Sequence, residues 1–137
     1  LTDSSAASDV YKRQYLLSSS LLFVLSQRLV RRLCVKCKKP DNDQKSIKLM
    51  KSNNIKGEIF KPVGCKHCDD TGYSGRLSIG ECIVVDEKIN ELIYKQASEA
   101  EITDYVFKNN KKIFINGLEA VIAGETSITE ILRVSQE

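Results

Sequence analysis

The residues best suited to chemistry in this sequence are four cysteines in two CxxC motifs, Cys34 with Cys37 and Cys65 with Cys68. A two-residue gap lets both sulfurs of one motif reach the same ion, and the long loop between the motifs lets the second pair complete a tetrahedron around it. The chemistry that this pattern favours is a Zn²⁺ ion held by four thiolates. Because all four positions would be taken by protein sulfur, the site should brace the fold and leave no position for a catalytic water.

Other interpretations of the cysteines are two disulfides, four unrelated buried thiols, or a redox pair. The redox interpretation is the weaker one, because two matched pairs favour metal capture and no thioredoxin-like βαβ pattern surrounds either motif.

Lysines flank both motifs, where positive charge would lower the thiol pKa values and offset the charge of a four-thiolate centre; they are Lys36, Lys38, Lys39 and Lys66. His67 is predicted to be a solvent-facing spacer, and Cys82 a small buried strand residue.

Length and charge limit the possible architectures. The chain has 137 residues, of which 42% are hydrophobic, enough for one modest core. The net charge is +3, but residues 28–61 carry eleven Lys/Arg against three Asp/Glu, whereas residues 86–137 carry six against ten. A basic face of this kind suits nucleotide phosphates, nucleic acid, acidic lipid headgroups or an acidic neighbouring subunit, and an ordinary solvated surface would look the same.

The apolar stretch at residues 15–25 has some features of a signal peptide or a membrane span. It is too short for a span, contains three consecutive serines and runs directly into arginines, and no small-residue cleavage site follows it. We therefore expect no transmembrane segment. Apolar residues at positions 17, 21, 22, 24, 25, 29 and 33 instead predict a buried amphipathic helix over residues 15–33.

The remaining patterns predict a small sheet and several helices. A short helix capped by Asp43 should lie between the CxxC motifs, and extended runs at residues 59–63 and 76–85 should form a small antiparallel sheet at the metal. Helices should fill the last third, with Gly124 separating the final two. Their starts are indicated by Asp86 and by two capping-box patterns, Ser98 with Glu101 and Ser127 with Glu130.

These elements predict an α+β fold that is mainly helical, with the sheet at a four-cysteine zinc-binding subdomain. Residues 1–14 are rich in Ser and Ala and lack periodicity, which indicates a disordered or artefactual leader. Residues 15–33 are expected to be a helix, residues 34–85 the zinc-binding subdomain, and residues 86–137 a helical subdomain.

Three groups of residues resemble the C-terminal part of the type II secretion and type IV pilus assembly ATPases, and the resemblance covers residues 15–137. The groups are Gln27-Arg28-Leu29-Val30-Arg31-Arg32-Leu33 followed by the first CxxC; Val63-Gly64 with the second CxxC, then Thr71-Gly72-Tyr73, Gly75-Arg76, Ile79 and Glu81; and Asn116-Gly117-Leu118 with Val121, Gly124, Thr126-Ser127, Glu130 and Arg133-Val134. Two positions depart from the family pattern. Asn116 stands where an acidic residue is more usual, and Cys82 where an aliphatic residue is more usual.

The resemblance implies the C-terminal part of a RecA-like P-loop ATPase domain from a cytoplasmic hexameric motor, peripheral to the inner membrane, where its partners are secretion or pilus platform proteins. In such motors the zinc subdomain projects from the nucleotide-binding domain. These residues contain no GxxxxGK[ST] phosphate-binding loop. ATP and Mg²⁺ are therefore expected only in a full-length parent, and this chain alone should be inactive.

Two arginines lie next to the family motifs, Arg28 and Arg76. A planar, always-charged guanidinium suits a phosphate or a carboxylate of a neighbouring subunit, although a local salt bridge on the surface would use the same residue type. An alternative function is a stand-alone zinc-ribbon module that binds nucleic acid through residues 28–61. Because that stretch has one aromatic residue, Phe60, base stacking would be poor, and no nucleic acid is expected as a partner.

Overall fold

A computed structural model describes residues 19–135 together with Arg13, Leu16 and Leu17. The predicted leader, residues 1–14, therefore lies outside the described residues except for Arg13. The fold class is α+β, as predicted. In chain order the elements are β1 (Phe23–Leu33), β2 (Lys39–Pro40), α1 (Gln44–Ser52), β3 (Phe60–Lys61), a 3₁₀ turn (Lys66–Cys68), β4 (Tyr73–Val84), α2 (Glu87–Tyr94), α3 (Glu99–Asn109), α4 (Ile113–Ile122) and α5 (Ile128–Ser135).

The strands form two small sheets. One pairs β1 with β4, and the other pairs β2 with β3 in antiparallel register, with Lys39 opposite Lys61. The backbone N–H of Cys34, just after β1, donates to the carbonyl of Gly72, just before β4, at 3.0 Å. This bond joins the end of one long strand to the start of the other, and so brings the two CxxC motifs to the same end of the sheet.

The predicted helix over residues 15–33 is wrong from Phe23 onward, where the chain forms β1. The apolar residues that indicated a helical stripe are largely exposed, including Leu22, Leu25 and Leu29, whereas Val30 and Leu33 are each only 1% exposed. Hydrogen bonding to β4 satisfies the backbone here, so tertiary pairing overrides the helical period of the side chains.

The helix starts follow the capping residues. Asp43 accepts a hydrogen bond from the Ser46 N–H at 2.9 Å, and Asp86 accepts one from the Ile89 N–H at 2.8 Å. Ser98 and Glu101 form both bonds of the predicted capping box. These predictions are confirmed because a capping bond joins residues only three apart in the chain and needs no distant partner.

The chain contains two compact units, each made from two separate stretches of sequence. One comprises the described residues up to Leu25 together with Cys82–Asn110, and within it α2 packs on α3. The other comprises Ser26–Glu81 and the described residues from Lys111 onward, and it holds both CxxC motifs with α1, α4 and α5. The predicted division at residue 85 therefore differs from the observed one, since the last two helices belong with the cysteines.

The unit with the cysteines has a continuous apolar core. Its buried residues come from β1, β4, α1, α4, α5 and the segments between them; they are Val30, Met50, Ile59, Ile79, Leu118, Val121, Ile128, Ile131 and Val134. Gly117 lies where a Cβ would meet Ile131 at 3.0 Å, so its lack of a side chain lets α4 and α5 pack closely. Within the described residues, no helix is both long and apolar enough to span a bilayer.

Candidate metal centre

The Sγ atoms of Cys34, Cys37, Cys65 and Cys68 all lie within 4.8 Å of one another. The distance is 3.9 Å between Cys34 and Cys65, 3.8 Å between Cys37 and Cys68, and 3.7 Å between Cys65 and Cys68. A tetrahedron with metal–sulfur bonds of about 2.3 Å has sulfur–sulfur edges of about 3.8 Å. The four predicted ligands are therefore arranged as one metal ion would require.

The same distances decide between the interpretations left open by the sequence. A disulfide brings two sulfurs to about 2.05 Å, much less than any of these separations, and all four cysteines are free thiols. Unrelated buried thiols would not converge from two distant segments. The arrangement therefore fits a site that can hold a metal ion.

Each CxxC motif is shaped by a tight backbone turn. In the first motif the N–H of Lys38 donates to the carbonyl of Cys34 at 3.0 Å, and in the second the N–H groups of Cys68 and Asp70 donate to the carbonyl of Cys65, also at 3.0 Å. These turns point the two sulfurs of a motif to the same side. The hydrogen bond between the Cys34 N–H and the Gly72 carbonyl, at the end of the sheet, then brings the sulfurs of the second motif next to those of the first.

Backbone N–H groups also point at the sulfurs. Cys68 Sγ accepts from the N–H of Gly72 at 3.2 Å and of Cys65 at 3.3 Å, and Cys37 Sγ accepts from the N–H of Gly64 at 3.4 Å. Burial opposes ionisation of Cys68, but these N–H groups, together with the neighbouring thiols of Cys65 and Cys37, outweigh it and lower the pKa of Cys68 to about 7. At Cys37 burial dominates and raises the pKa to about 11. Cys68 is therefore the more acidic of these two thiols.

At Cys68 the N–H groups thus favour the thiolate, an effect that was predicted for the neighbouring lysines. Lys38 Nζ instead donates to the carbonyl of Gly124 at 2.7 Å and lies over the Phe60 ring, 4.9 Å from its centroid.

His67 is exposed, as predicted for a spacer. Cys82 lies on β4 but is exposed, so its predicted burial is wrong. It lies outside the four-sulfur cluster.

A second polar cluster, missed in the sequence, lies in the same unit. Glu130 is 1% exposed and accepts from Arg31 Nη2 at 2.8 Å, from the Arg31 backbone N–H at 2.9 Å and from Arg133 Nη2 at 3.0 Å. Burial would raise the pKa of Glu130, but these bonds outweigh it and lower the pKa to about 2. The Arg31 guanidinium also stacks on Tyr73, 4.1 Å from the ring centroid, and the Tyr73 hydroxyl bonds Ser127 at 2.9 Å.

The capping-box pattern at Ser127 and Glu130 is therefore only half realised. The Glu130 N–H lies 3.4 Å from Ser127 Oγ, but the Glu130 carboxylate binds arginines. The one sequence signal for this arrangement was Arg133, three residues after Glu130 on the same helix face. The partner on β1, Arg31, is 99 residues away in the chain, a separation that local patterns do not report.

The two arginines singled out in the sequence lie at different places. Arg28 is exposed, donates to the carbonyl of Gln27 at 3.3 Å, and borders an apolar crevice beside α4 and α5. Arg76 is exposed on β4 and lines an open concavity together with Arg31 and Arg133. The structure therefore does not bring Arg28 and Arg76 into one site.

Comparison with known proteins identifies the class to which this fold and its cysteine cluster belong. A family model described as type II/IV secretion system protein matches residues 8–133. The match begins before residue 15, where we expected the resemblance to start. The chain belongs to the type II/IV secretion system protein family.

Individual relatives agree with this assignment. The chain is 40% identical to the type II secretion system ATPase E of Vibrio cholerae over 90% of this chain and 25% of that protein. It is 39% identical to the type II secretion system protein E of Aeromonas hydrophila, with the same coverage of both proteins. It is 38% identical to the type IV pilus assembly ATPase PilB of Thermus thermophilus, over 85% of this chain and 14% of that protein. The chain spans about a quarter of the length of the first two relatives and less of the third.

Proposed function

We propose that this chain is the C-terminal, zinc-braced part of a cytoplasmic hexameric ATPase that powers type II secretion or type IV pilus assembly at the inner membrane. The observation that carries the proposal is the four-sulfur cluster, in a chain that belongs to the type II/IV secretion family and matches two relatives named as ATPases. The chain would form the C-terminal portion of a RecA-like P-loop ATPase domain. ATP and Mg²⁺ would be bound by other parts of the full-length protein.

The role proposed for zinc is structural. Four thiolates complete its coordination, so the ion would join the two CxxC turns and hold the ends of β1 and β4 together. Zn²⁺ suits the four soft sulfur donors and their tetrahedral separations. The backbone N–H groups that point at Cys37 and Cys68 supply the second layer of hydrogen bonds that such sites use to stabilise thiolate ligands.

Contacts between subunits and with inner-membrane platform proteins are the second part of the proposal. Arg28 and Arg76 are both exposed, and each guanidinium can bind a phosphate or a carboxylate of an adjacent subunit. Nucleic-acid binding through residues 28–61 is less well supported. Phe60, the one aromatic residue there, is half-buried beneath the Lys38 ammonium and is not presented for base stacking.

A chimera tests the proposed function. The C-terminal quarter of the Vibrio cholerae ATPase would be replaced by this chain from residue 26 onward, and ATP hydrolysis and secretion would be measured in a strain that lacks the native protein. We expect the chimera to restore both activities in part, because the chain should supply an equivalent zinc-braced end. The same replacement in the Thermus thermophilus pilus ATPase, assayed for pilus assembly, would show whether the chain supports secretion or pilus assembly better.

Two matched variants make the result interpretable. Cys37→Ser in the chimera should lose zinc and most of the restored activity, whereas Cys82→Ser, which changes an exposed cysteine outside the cluster, should retain both. A chimera that folds, binds zinc and forms rings but supports neither secretion nor pilus assembly would contradict the proposed function.

A further inference from the structure

The loop between α4 and α5, residues 123–127, is hydrogen-bonded to the end of β1. The carbonyl of Glu125 accepts from the Leu33 N–H at 2.8 Å, and the Thr126 hydroxyl donates to the Arg31 carbonyl, also at 2.8 Å. Thr126 is fully buried. The α4–α5 loop is therefore fixed to the strand that leads directly into the first CxxC motif.

The same loop also contacts the segments that carry both CxxC motifs. Lys38, the residue after Cys37, donates from Nζ to the Gly124 carbonyl at 2.7 Å. At the start of β4, the Tyr73 hydroxyl lies 2.9 Å from the hydroxyl of Ser127, and Ser127 is only 3% exposed. The α4–α5 loop is thus bonded next to both pairs of sulfurs.

Tyr73 connects this loop to the second CxxC turn through its own backbone. Its N–H donates to Thr71 Oγ1 at 3.2 Å, and the Thr71 hydroxyl donates to the Cys68 carbonyl at 2.6 Å. Gly72, which lies between these two residues, donates to Cys68 Sγ at 3.2 Å and accepts from the Cys34 N–H at 3.0 Å. Holding the Tyr73 side chain therefore also holds the turn whose N–H points at a ligand sulfur.

We propose that the α4–α5 loop is a latch that slows release of the metal ion, with Tyr73 as the positioning residue through which it acts. The loop and the ion would join the same two segments, the end of β1 and the start of β4. For the ion to leave, one pair of sulfurs must move away from the other, and the bond between Tyr73 and Ser127 opposes that local opening. Because such coupling is reciprocal, metal binding should also hold the loop and the first turn of α5 in place.

The latch rests on the zinc site of the proposed function and on none of its other parts. The test measures how fast an excess of a chromophoric chelator removes zinc from the loaded chain. Tyr73→Phe deletes the hydroxyl but keeps the ring on which the Arg31 guanidinium stacks. We expect release to become about fivefold faster, which corresponds to one lost hydrogen bond. Ser127→Ala should also accelerate release, and adding Tyr73→Phe to it should have no further effect, because both changes remove the same bond.

Two controls separate the latch from general stability. Ile131→Val shortens a fully buried side chain of α5, at a cost in stability similar to that of one hydrogen bond, and removes none of the hydrogen bonds of the loop. Tyr105→Phe deletes a tyrosine hydroxyl that donates to Asp86 at 2.8 Å in the other compact unit. Both variants should release zinc at the rate of the unaltered chain.

The outcomes distinguish the latch from the zinc site. Unchanged release from Tyr73→Phe, or equal acceleration in Ile131→Val, would overturn the latch and leave the zinc site standing. A chain that binds no zinc would overturn both. If Tyr73→Phe does not fold, as judged by circular dichroism, Ser127→Ala compared with Ile131→Val decides the question by the same criteria.

Discussion

At the scale of single residues, the cysteine cluster and Glu130 show two ways of stabilising a negative charge away from bulk water. Ionised groups away from bulk water need compensation. At Cys68, the backbone N–H groups of Cys65 and Gly72 point at sulfur. At Glu130, two arginine side chains supply the compensation.

The first prediction is that the purified chain contains one zinc ion per molecule. Metal analysis after dialysis measures this directly. Replacing any one of Cys34, Cys37, Cys65 or Cys68 by Ser should release zinc and lower the melting temperature, because binding at such sites contributes on the order of 10 kcal/mol to folding. Cys82→Ser is the control and should keep its zinc; zinc loss in that variant would show that the ligands are assigned wrongly.

The second prediction concerns the free energy of unfolding after Glu130→Gln. The change should cost about 2 kcal/mol, because it removes a buried, charge-assisted set of hydrogen bonds whose arginine partners can still reach water. Urea unfolding at neutral pH measures the loss. Glu125→Gln is the matched control, because it breaks the Arg32–Glu125 pair, which is 49% and 38% exposed, and should cost less than about 0.5 kcal/mol. Equal costs for both variants would contradict the assigned role of Glu130.

The third prediction is a pH dependence with a defined sign. The pKa of Glu130 is about 2 in the folded chain, below its ordinary value, since the bonds from Arg31 and Arg133 outweigh burial. The stability that the ionised carboxylate contributes is therefore complete above about pH 5 and is lost as the pH falls through about 4 toward 2. Thiolate protonation also releases metal in acid, so the measured quantity is the difference in unfolding free energy between the unaltered chain and Glu130→Gln. That difference should shrink as the pH is lowered, and a constant difference would be inconsistent with the shifted pKa.

At the scale of elements, the turn before β4 connects the metal centre to the sheet. Gly72 has a φ of +77°, donates its N–H to Cys68 Sγ and accepts from the Cys34 N–H at its carbonyl. A Cβ at this position would lie 2.5 Å from the Cβ of Pro62. This glycine is therefore needed for its conformation and for the close approach of another segment.

The fourth prediction separates those two needs. Gly75 also has a positive φ, of +80°, but a Cβ there would meet nothing within 4 Å. Gly75→Ala should cost about 1 kcal/mol from backbone strain alone, whereas Gly72→Ala should cost about 3 kcal/mol and weaken zinc binding, since the clash adds to the strain. Thermal unfolding and competition with a zinc chelator measure the two effects. Similar losses in both variants would mean that the contact with Pro62 is unimportant.

At the scale of the whole molecule, the chain corresponds to about a quarter of the type II secretion relatives that it matches. The fifth prediction is that this 137-residue chain does not hydrolyse ATP. It contains no glycine-rich loop whose N–H groups and lysine would hold the phosphates. Phosphate release by a clean preparation should equal that of a buffer blank, with Cys37→Ser as a parallel sample to detect a contaminating ATPase. Turnover above the blank would contradict the proposal that the chain is one part of a longer ATPase.

The sequence by itself determined the features that depend on near neighbours in the chain. The two CxxC motifs identified all four cysteines of the cluster, and Asp43, Asp86 and Ser98 marked three helix starts. Each depends on residues two or three positions apart, so the spacing alone carries the information.

Only the tertiary structure decided the features that depend on distant partners. β1 is a strand because β4 supplies its hydrogen bonds, although its apolar residues repeat as they would in a helix. Glu130 binds Arg31 instead of completing a capping box, and Arg76 lies beside these arginines because β1, β4 and α5 meet there. The conformation of β1 and the partner of Glu130 are set by which segments pack together in the buried core. Local propensities are worth a few tenths of a kcal/mol per residue, too little to oppose this packing.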